Sequence, residues 1–227
     1  MIKSSSILKI NLKNLIKNYN YFKKINHNTI VAPTIKANAY GLGDIKIYKH
    51  LVQNKCKHFF VATIEEGIKL NNKNNKISIF VLNGIQNYDL KLFTKYKLIP
   101  IINTTAELRK IIKTNISFGI HIDTGINRLG ICYKEFSTFN FKSNNIKIVI
   151  SHLASADERQ NKFNKVQNKR YLNIINKFNI ENVFFSLANT NGSVLSKKYL
   201  YNIIRPGIGL YGGNNKNQLL KKKLKPV

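Results

Sequence analysis

Between Ile30 and Arg205 the sequence alternates short apolar, largely β-branched runs with segments of helical period, and it does so eight times. The runs fall at residues 30–35, 58–62, 77–82, 98–102, 117–122, 146–151, 183–186 and 202–205. Their lengths and continuous apolarity are those of strands buried on both faces. Helical patterns at 12–25, 44–53, 87–95, 105–112 and 161–178 lie before and between them, with another starting near Thr63, where Thr63-Ile64-Glu65-Glu66 has capping-box spacing. Eight strand-then-helix units predict the α/β class and, within it, a (β/α)8 TIM barrel. A doubly wound open sheet is the runner-up, but it calls for a glycine-rich phosphate loop after its first strand, and Lys36-Ala37-Asn38-Ala39-Tyr40-Gly41 is not of that form.

At 227 residues and 43% hydrophobic content the chain suits one larger domain. The expected organisation is a lead-in strand within 1–10, centred on 7–11, a barrel over 11–212, and a basic connector over 213–227. Polar loops are expected at 71–75 and 214–217. Thirty-eight Lys and Arg against ten Asp and Glu give +28, which raises nucleic acid or an anionic surface as a partner. The basic residues are spread along the whole chain beside many Asn and Ile, as AT-rich codon usage produces, and no aromatic-plus-basic module accompanies them. No specific nucleic-acid partner and no membrane partner is expected, only salt-sensitive stickiness. No apolar run is long enough to span a bilayer, and lysines interrupt the apolar residues of 1–10, so a cytoplasmic protein is expected. Cys56 and Cys132 are isolated and lack zinc-ligand spacing, so reduced thiols and no metal are expected.

Barrels carry their chemistry at the C-terminal ends of strands. Lys36 ends the first strand, ahead of a glycine-punctuated turn at 41–44. Partial desolvation there favours a neutral amine able to attack an aldehyde and form a Schiff base; the alternative is a lysine that snorkels from a strand end. Asp123 to Arg128 follow the fifth strand, His152 the sixth, Asn189 and Thr190 the seventh, and Arg205-Pro206-Gly207 the eighth. The last two loops are where barrels often bind phosphate, and Gly207 and Ile208 offer backbone N–H groups, with Thr190 and Tyr40 as hydroxyl donors. Arg128 has the planar fork that suits a carboxylate, or it forms a surface ion pair. Asp123 organises its turn. His152 is either a site residue or a satisfied core polar group.

The run Ile35-Lys36-Ala37-Asn38-Ala39-Tyr40-Gly41 resembles the pyridoxal-phosphate lysine motif of alanine racemases. Residues 120–130, 151–158, 187–191 and 205–212 resemble four further signatures in that family's order. The resemblance implies pyridoxal 5'-phosphate as cofactor, alanine as substrate, and L/D-alanine interconversion by two bases, a route to a peptidoglycan precursor. Lys36 then carries the cofactor and serves one face of the substrate. Tyr40, Asn189, Thr190, Gly207 and Ile208 match phosphate-binding positions, and Arg128 matches the arginine that meets the cofactor's phenolic oxygen and steers the substrate carboxylate. Arg205 matches the arginine facing the pyridine nitrogen, and His152 a residue that bonds it. A permanently charged arginine protonates that nitrogen poorly, leaving a weaker electron sink that favours returning the proton to Cα. Two positions depart from the pattern. Leu42 replaces a usual histidine, and His121 stands where many members carry a carbamylated lysine that braces the active-site arginine. The family also uses a second, all-β domain whose tyrosine, from a partner subunit, serves the other face. The chain is therefore expected to need a homodimer or a separately supplied C-terminal domain, and to racemise poorly alone. A cofactor-binding carrier barrel without racemase activity is the alternative.

Overall fold

The computed structural model describes residues 6–25, 27–70, 76–87, 90–138, 143, 145–178, 182–213 and 217–227. Eight parallel strands form a ring: β1 (Ile30–Val31), β2 (His58–Val61), β3 (Ser78–Val81), β4 (Leu98–Ile102), β5 (Phe118–Asp123), β7 (Ile146–Ile150), β8 (Phe184–Ser186) and β9 (Ile203–Ile204). β6 (Ile131–Cys132) lies off the ring and pairs only with β5. The run from β2 to β8 is continuous, β1 pairs with β9, and single bridges at Thr34↔Phe60 and Asn189↔Arg205 close the two seams. This is the (β/α)8 barrel expected from the alternation.

Two-sided burial explains why the strands read as unbroken apolar runs. Phe60, Phe80, Ile101, Ile148 and Ile203 point into the barrel, where the Phe60 and Phe80 rings stack at 4.8 Å. Their sequence neighbours Phe59, Ile79, Ile102, Val149 and Ile204 belong to the larger core beneath the helices. Successive residues thus alternate between two dry environments. The helices packed outside are α1 (Leu12–Ile25), α3 (Asp44–Gln53), α4 (Ile64–Lys69), α5 (Leu90–Lys95), α6 (Thr105–Ile111), α7 (Tyr133–Thr138) and α8 (Lys162–Ile175).

Several expectations shift. Residues 6–11 form no strand, and Ile7 and Leu8 are 83% and 67% exposed. The ring pairs its own strands all round, so it offers this segment no edge; residues 1–5 lie outside the described set. The first strand is short because Pro33 has no N–H to donate, and Ile35 already leads into a turn, α2 (Lys36–Tyr40). The helix expected at 87–95 starts at Leu90. The polar loop at 71–75 and residues 214–216 lie outside the described residues. The connector expected over 213–227 carries a capped helix, α9 (Gln218–Lys223), with Asn217 accepting from Leu219 and Leu220 N–H. Leu220 and Leu224, four residues apart, are buried, and Asn18 of α1 bonds Lys225 at both its N–H and its carbonyl. The segment therefore docks on the barrel rather than leaving it. Among the described residues no helix is long and apolar enough to cross a membrane.

Gly119 of β5 marks the tightest point inside the ring, because a Cβ there would lie 2.5 Å from both Ile101 Cδ1 and Ile148 Cγ2. Gly119→Ala is expected to destabilise the fold by about 1–3 kcal/mol through overpacking. Urea denaturation should show a lower midpoint with an unchanged slope.

Candidate active site

The C-terminal ends of the strands open on a cavity of about 520 Å³. All nine residues singled out from the sequence line it: Lys36, Tyr40, Arg128, His152, Asn189, Thr190, Arg205, Gly207 and Ile208. Three of these are cationic, and among the described residues no carboxylate lines the cavity. Such a site selects an anionic ligand.

Lys36 is fixed by its neighbours. Thr34 donates to Pro206 O and Ile35 to Phe60 O, both at 2.9 Å, so the chain enters the cavity mouth anchored to two other units. Immediately afterwards it does something the glycines at 41 and 43 did not foretell. Ala37, Asn38 and Ala39 have φ/ψ of 51/54, 52/45 and 53/50°, and Tyr40 has φ 56°. This is a turn of left-handed helix, which costs an L-residue roughly 1–2 kcal/mol per position. The compensating bonds are dense. Ala39 N–H reaches Ile35 O, Gly41 reaches Ala37 O and Gly43 reaches Asn38 O, each at 2.9 Å. The Ala37 N–H donates to Glu66 Oε1 at 2.7 Å, while Glu66 Oε2 accepts from Ala62 N–H at 2.6 Å. Asn38 Oδ1 accepts from Asp44 N–H, and Asp44 pairs with Lys69 at 2.8 Å. The result is that Lys36 and Tyr40, flanking the turn, both line the cavity.

On the cavity wall, the Thr190 hydroxyl oxygen accepts from the N–H of Gly207 and of Gly209, at 3.1 and 3.2 Å. With both lone pairs engaged, its O–H remains as a donor. The Gly207 N–H, expected as a free ligand donor, is thus committed to Thr190. A Cβ at Gly207 would collide with the Tyr40 hydroxyl, so glycine is what lets that hydroxyl approach. Burial raises the Tyr40 pKa, more than Arg128 lowers it, so the phenol stays a donor at neutral pH.

Arg205 is 6% exposed. Its Nη1 donates to Ser186 O and Oγ and its Nη2 to Ser151 O, and it sits over the Phe60 ring at 5.8 Å. Burial lowers its pKa to about 10, so the guanidinium keeps its charge at neutral pH. His152 does not bond Arg205, as the resemblance implied; its Nε2 lies 3.2 Å from Asn189 Nδ2. Asn189 Oδ1 accepts from Gly192 N–H, so its amide donates and His152 Nε2 accepts. His152 is held well below the usual histidine range, by burial first and then by Arg205 and Arg128. Arg128 is exposed at the rim. Asp123 fixes its loop by accepting from the N–H groups of Gly125, Ile126 and Asn127, and Arg170 of α8 donates to Thr124 O. Asp123 therefore does organise the turn.

His121 was noticed in the sequence only as a departure. It is buried, and its Nδ1 lies 3.1 Å from Asn103 Oδ1. Both Asn103 N–H groups go to Leu82 O and Ile101 O, which makes Oδ1 the acceptor and puts the histidine proton on Nδ1. Nε2 is then a bare acceptor with no partner among the described residues, in a side chain that lines the cavity. An orphaned acceptor, three cations and the hydroxyl donors of Tyr40 and Thr190 fit a ligand with an anionic end and a hydrogen-bond donor. Asn103 and Glu66 do not line the cavity; no sequence signal beyond the capping spacing at Thr63 pointed to either.

Residues 10–215 match the family described as alanine racemase, N-terminal domain. The chain belongs to this family. Among curated relatives it is 35% identical to an alanine racemase of Rickettsia typhi and 36% to one of Rickettsia prowazekii, in each case over 92% of this chain and 54% of the relative. It therefore spans about half the length of these relatives. The crystal structure of alanine racemase from Bartonella henselae with covalently bound pyridoxal phosphate is 27% identical, with a TM-score of 0.82 over 96% of this chain and 66% of that one. Alanine racemase from Bacillus anthracis, 21% identical, has a TM-score of 0.83 and shares the fold. In this alanine racemase N-terminal domain, the lysine run and the loops after β5, β7, β8 and β9 converge on one cavity.

The buried histidines generate a pH dependence. His121 falls from 6.5 to about 3, through burial, then Arg205, then Arg128. A depressed folded pKa gives stability that is complete above the unfolded value and declines as pH falls through the window toward the folded one. The loss is about 1.4 kcal/mol per pH unit per histidine. Denaturant titrations at pH 7 and pH 5 should differ by about 2 kcal/mol from His121 alone, and His121→Asn should flatten the profile by that share.

Proposed function

We propose that this chain binds pyridoxal 5'-phosphate through Lys36 and acts as the cofactor-holding barrel of an enzyme interconverting L- and D-alanine. What supports this is one cavity lined by Lys36, Arg128 and Arg205 with no carboxylate among the described residues, and with hydroxyl donors of Tyr40 and Thr190 on its wall. When bound, the cofactor supplies an electron sink that acidifies the α C–H of an attached amino acid. Thr190 and Tyr40, with Asn189, Gly207 and Ile208 beside them, would hold its phosphate. Arg205 would stand toward the ring nitrogen; charged at neutral pH, it cannot serve as that nitrogen's proton donor. Arg128 would orient the substrate carboxylate with its planar fork.

The amine of Lys36 would take the α-proton at Nζ and return it on the same face. Inversion needs a second base on the opposite face. A partner subunit or further C-terminal sequence would supply it, within a cytoplasmic route to D-alanine for peptidoglycan. His152 and His121 stay neutral because of burial and the neighbouring arginines, so neither adds positive charge to the cavity.

Reduction with borohydride in the presence of pyridoxal phosphate, followed by peptide mapping, should place the label on Lys36, and Lys36→Ala should abolish it. Label on other lysines only, at a level Lys36→Ala does not change, would exclude this function. Label on Lys36 in a full assembly that does not racemise alanine would identify a cofactor carrier.

A further inference from the structure

The left-handed turn after Lys36 is held from outside the cavity by a side chain that does not line it. Glu66, the third residue of α4, receives the Thr63 cap at its own N–H, but its carboxylate does not return to Thr63. Oε2 takes the Ala62 N–H at the end of β2, and Oε1 crosses to the preceding unit to take the Ala37 N–H. Ala37 is the first residue of the chain in the left-handed region after Lys36, so this bond lies where the strained turn begins.

The same device occurs once more. Thr104 caps Glu107, whose carboxylate takes the Asn103 N–H at the end of β4 and crosses to the preceding unit for the N–H groups of Ile85 and Gln86. There it pins a loop that carries no reacting group. A carboxylate has two acceptor oxygens, whereas the amide of glutamine has one and would turn a donor against an N–H. Both glutamates are thus required as carboxylates, but only one of them controls a lysine.

We propose that Glu66 is a positioning residue for Lys36: by binding Ala37 and Ala62 N–H together it fixes the left-handed turn and sets the amine against the cavity. The proposal rests on the assignment of Lys36 as the cofactor lysine. Left to itself, the turn would relax toward right-handed or extended backbone, because Ala37, Asn38 and Ala39 all occupy a region that L-residues disfavour. Lys36 would then sample orientations away from Thr190 and Arg205.

The test compares Glu66→Gln with Glu107→Gln in the full chain, using hydrogen exchange of the 36–43 peptide and titration with pyridoxal phosphate read by borohydride trapping at Lys36. Both variants should lose stability to a similar degree. Only Glu66→Gln should speed exchange in 36–43 and weaken cofactor binding, by about tenfold for the loss of a bond to a charged acceptor. Ala37→Gly placed in the Glu66→Gln chain should restore part of that loss, since glycine adopts positive φ without strain. Equal effects of the two glutamine variants on Lys36, unchanged exchange in Glu66→Gln, or no recovery with Ala37→Gly would overturn the proposal. If wild-type Lys36 takes no label, the cofactor assignment fails, and the exchange comparison alone then decides whether Glu66 holds the turn.

Discussion

Arg205 carries a positive charge at 6% exposure with no carboxylate against it among the described residues, and much of the cavity is arranged around that fact. Its backbone N–H bonds Ala188 O and closes the seam between β8 and β9, while its guanidinium ties Ser151 and Ser186, the residues at the ends of β7 and β8. One side chain thus joins three neighbouring strands at the face where the site opens. The charge is tolerated because carbonyl and hydroxyl oxygens replace water, and an aromatic face lies beneath it. Its field then helps keep His121 and His152 neutral, so the arginines rather than the histidines carry the charge that the cavity presents to an anion.

The scarcity of acidic residues acquires a structural meaning here. With ten carboxylates in 227 residues, Asp44, Glu66, Glu107 and Asp123 all sit at or beside the loops on the C-terminal face, where they bind backbone N–H groups. A carboxylate used this way neutralises nothing in the cavity and rigidifies its rim, since charged acceptors make the stronger hydrogen bonds. The +28 net charge is distributed over the chain, whereas the negative charges named here hold the walls of the site.

The barrel was legible because two-sided burial writes itself as runs such as Phe59-Phe60-Val61, which alternate between outer and inner cores without a polar residue to mark the period. That Lys36, Arg128, His152 and Arg205 line one cavity was legible because all four follow the C-terminal ends of barrel strands. Less could be read where a residue's partner is remote. Nothing local announces that Ala37 to Tyr40 turn left-handed, since the stabilising acceptor, Glu66, belongs to the next unit. The His152 contact with Asn189, rather than Arg205, depends on which way an amide three residues past β8 is turned by Gly192. The docking of Leu220 and Leu224 was masked by the lysines around them. Residues 7–11 looked like a strand from their alternation, but alternation cannot create a free sheet edge.

The most direct test of the account is proton exchange at Cα of L-alanine in deuterated water, using the chain loaded with pyridoxal phosphate. Deuterium should enter Cα faster than with free cofactor, and Lys36→Ala should lose that acceleration, because the amine that moves the proton is gone. Exchange that persists undiminished in Lys36→Ala, or a cofactor-loaded chain that exchanges no faster than free pyridoxal phosphate, would contradict it.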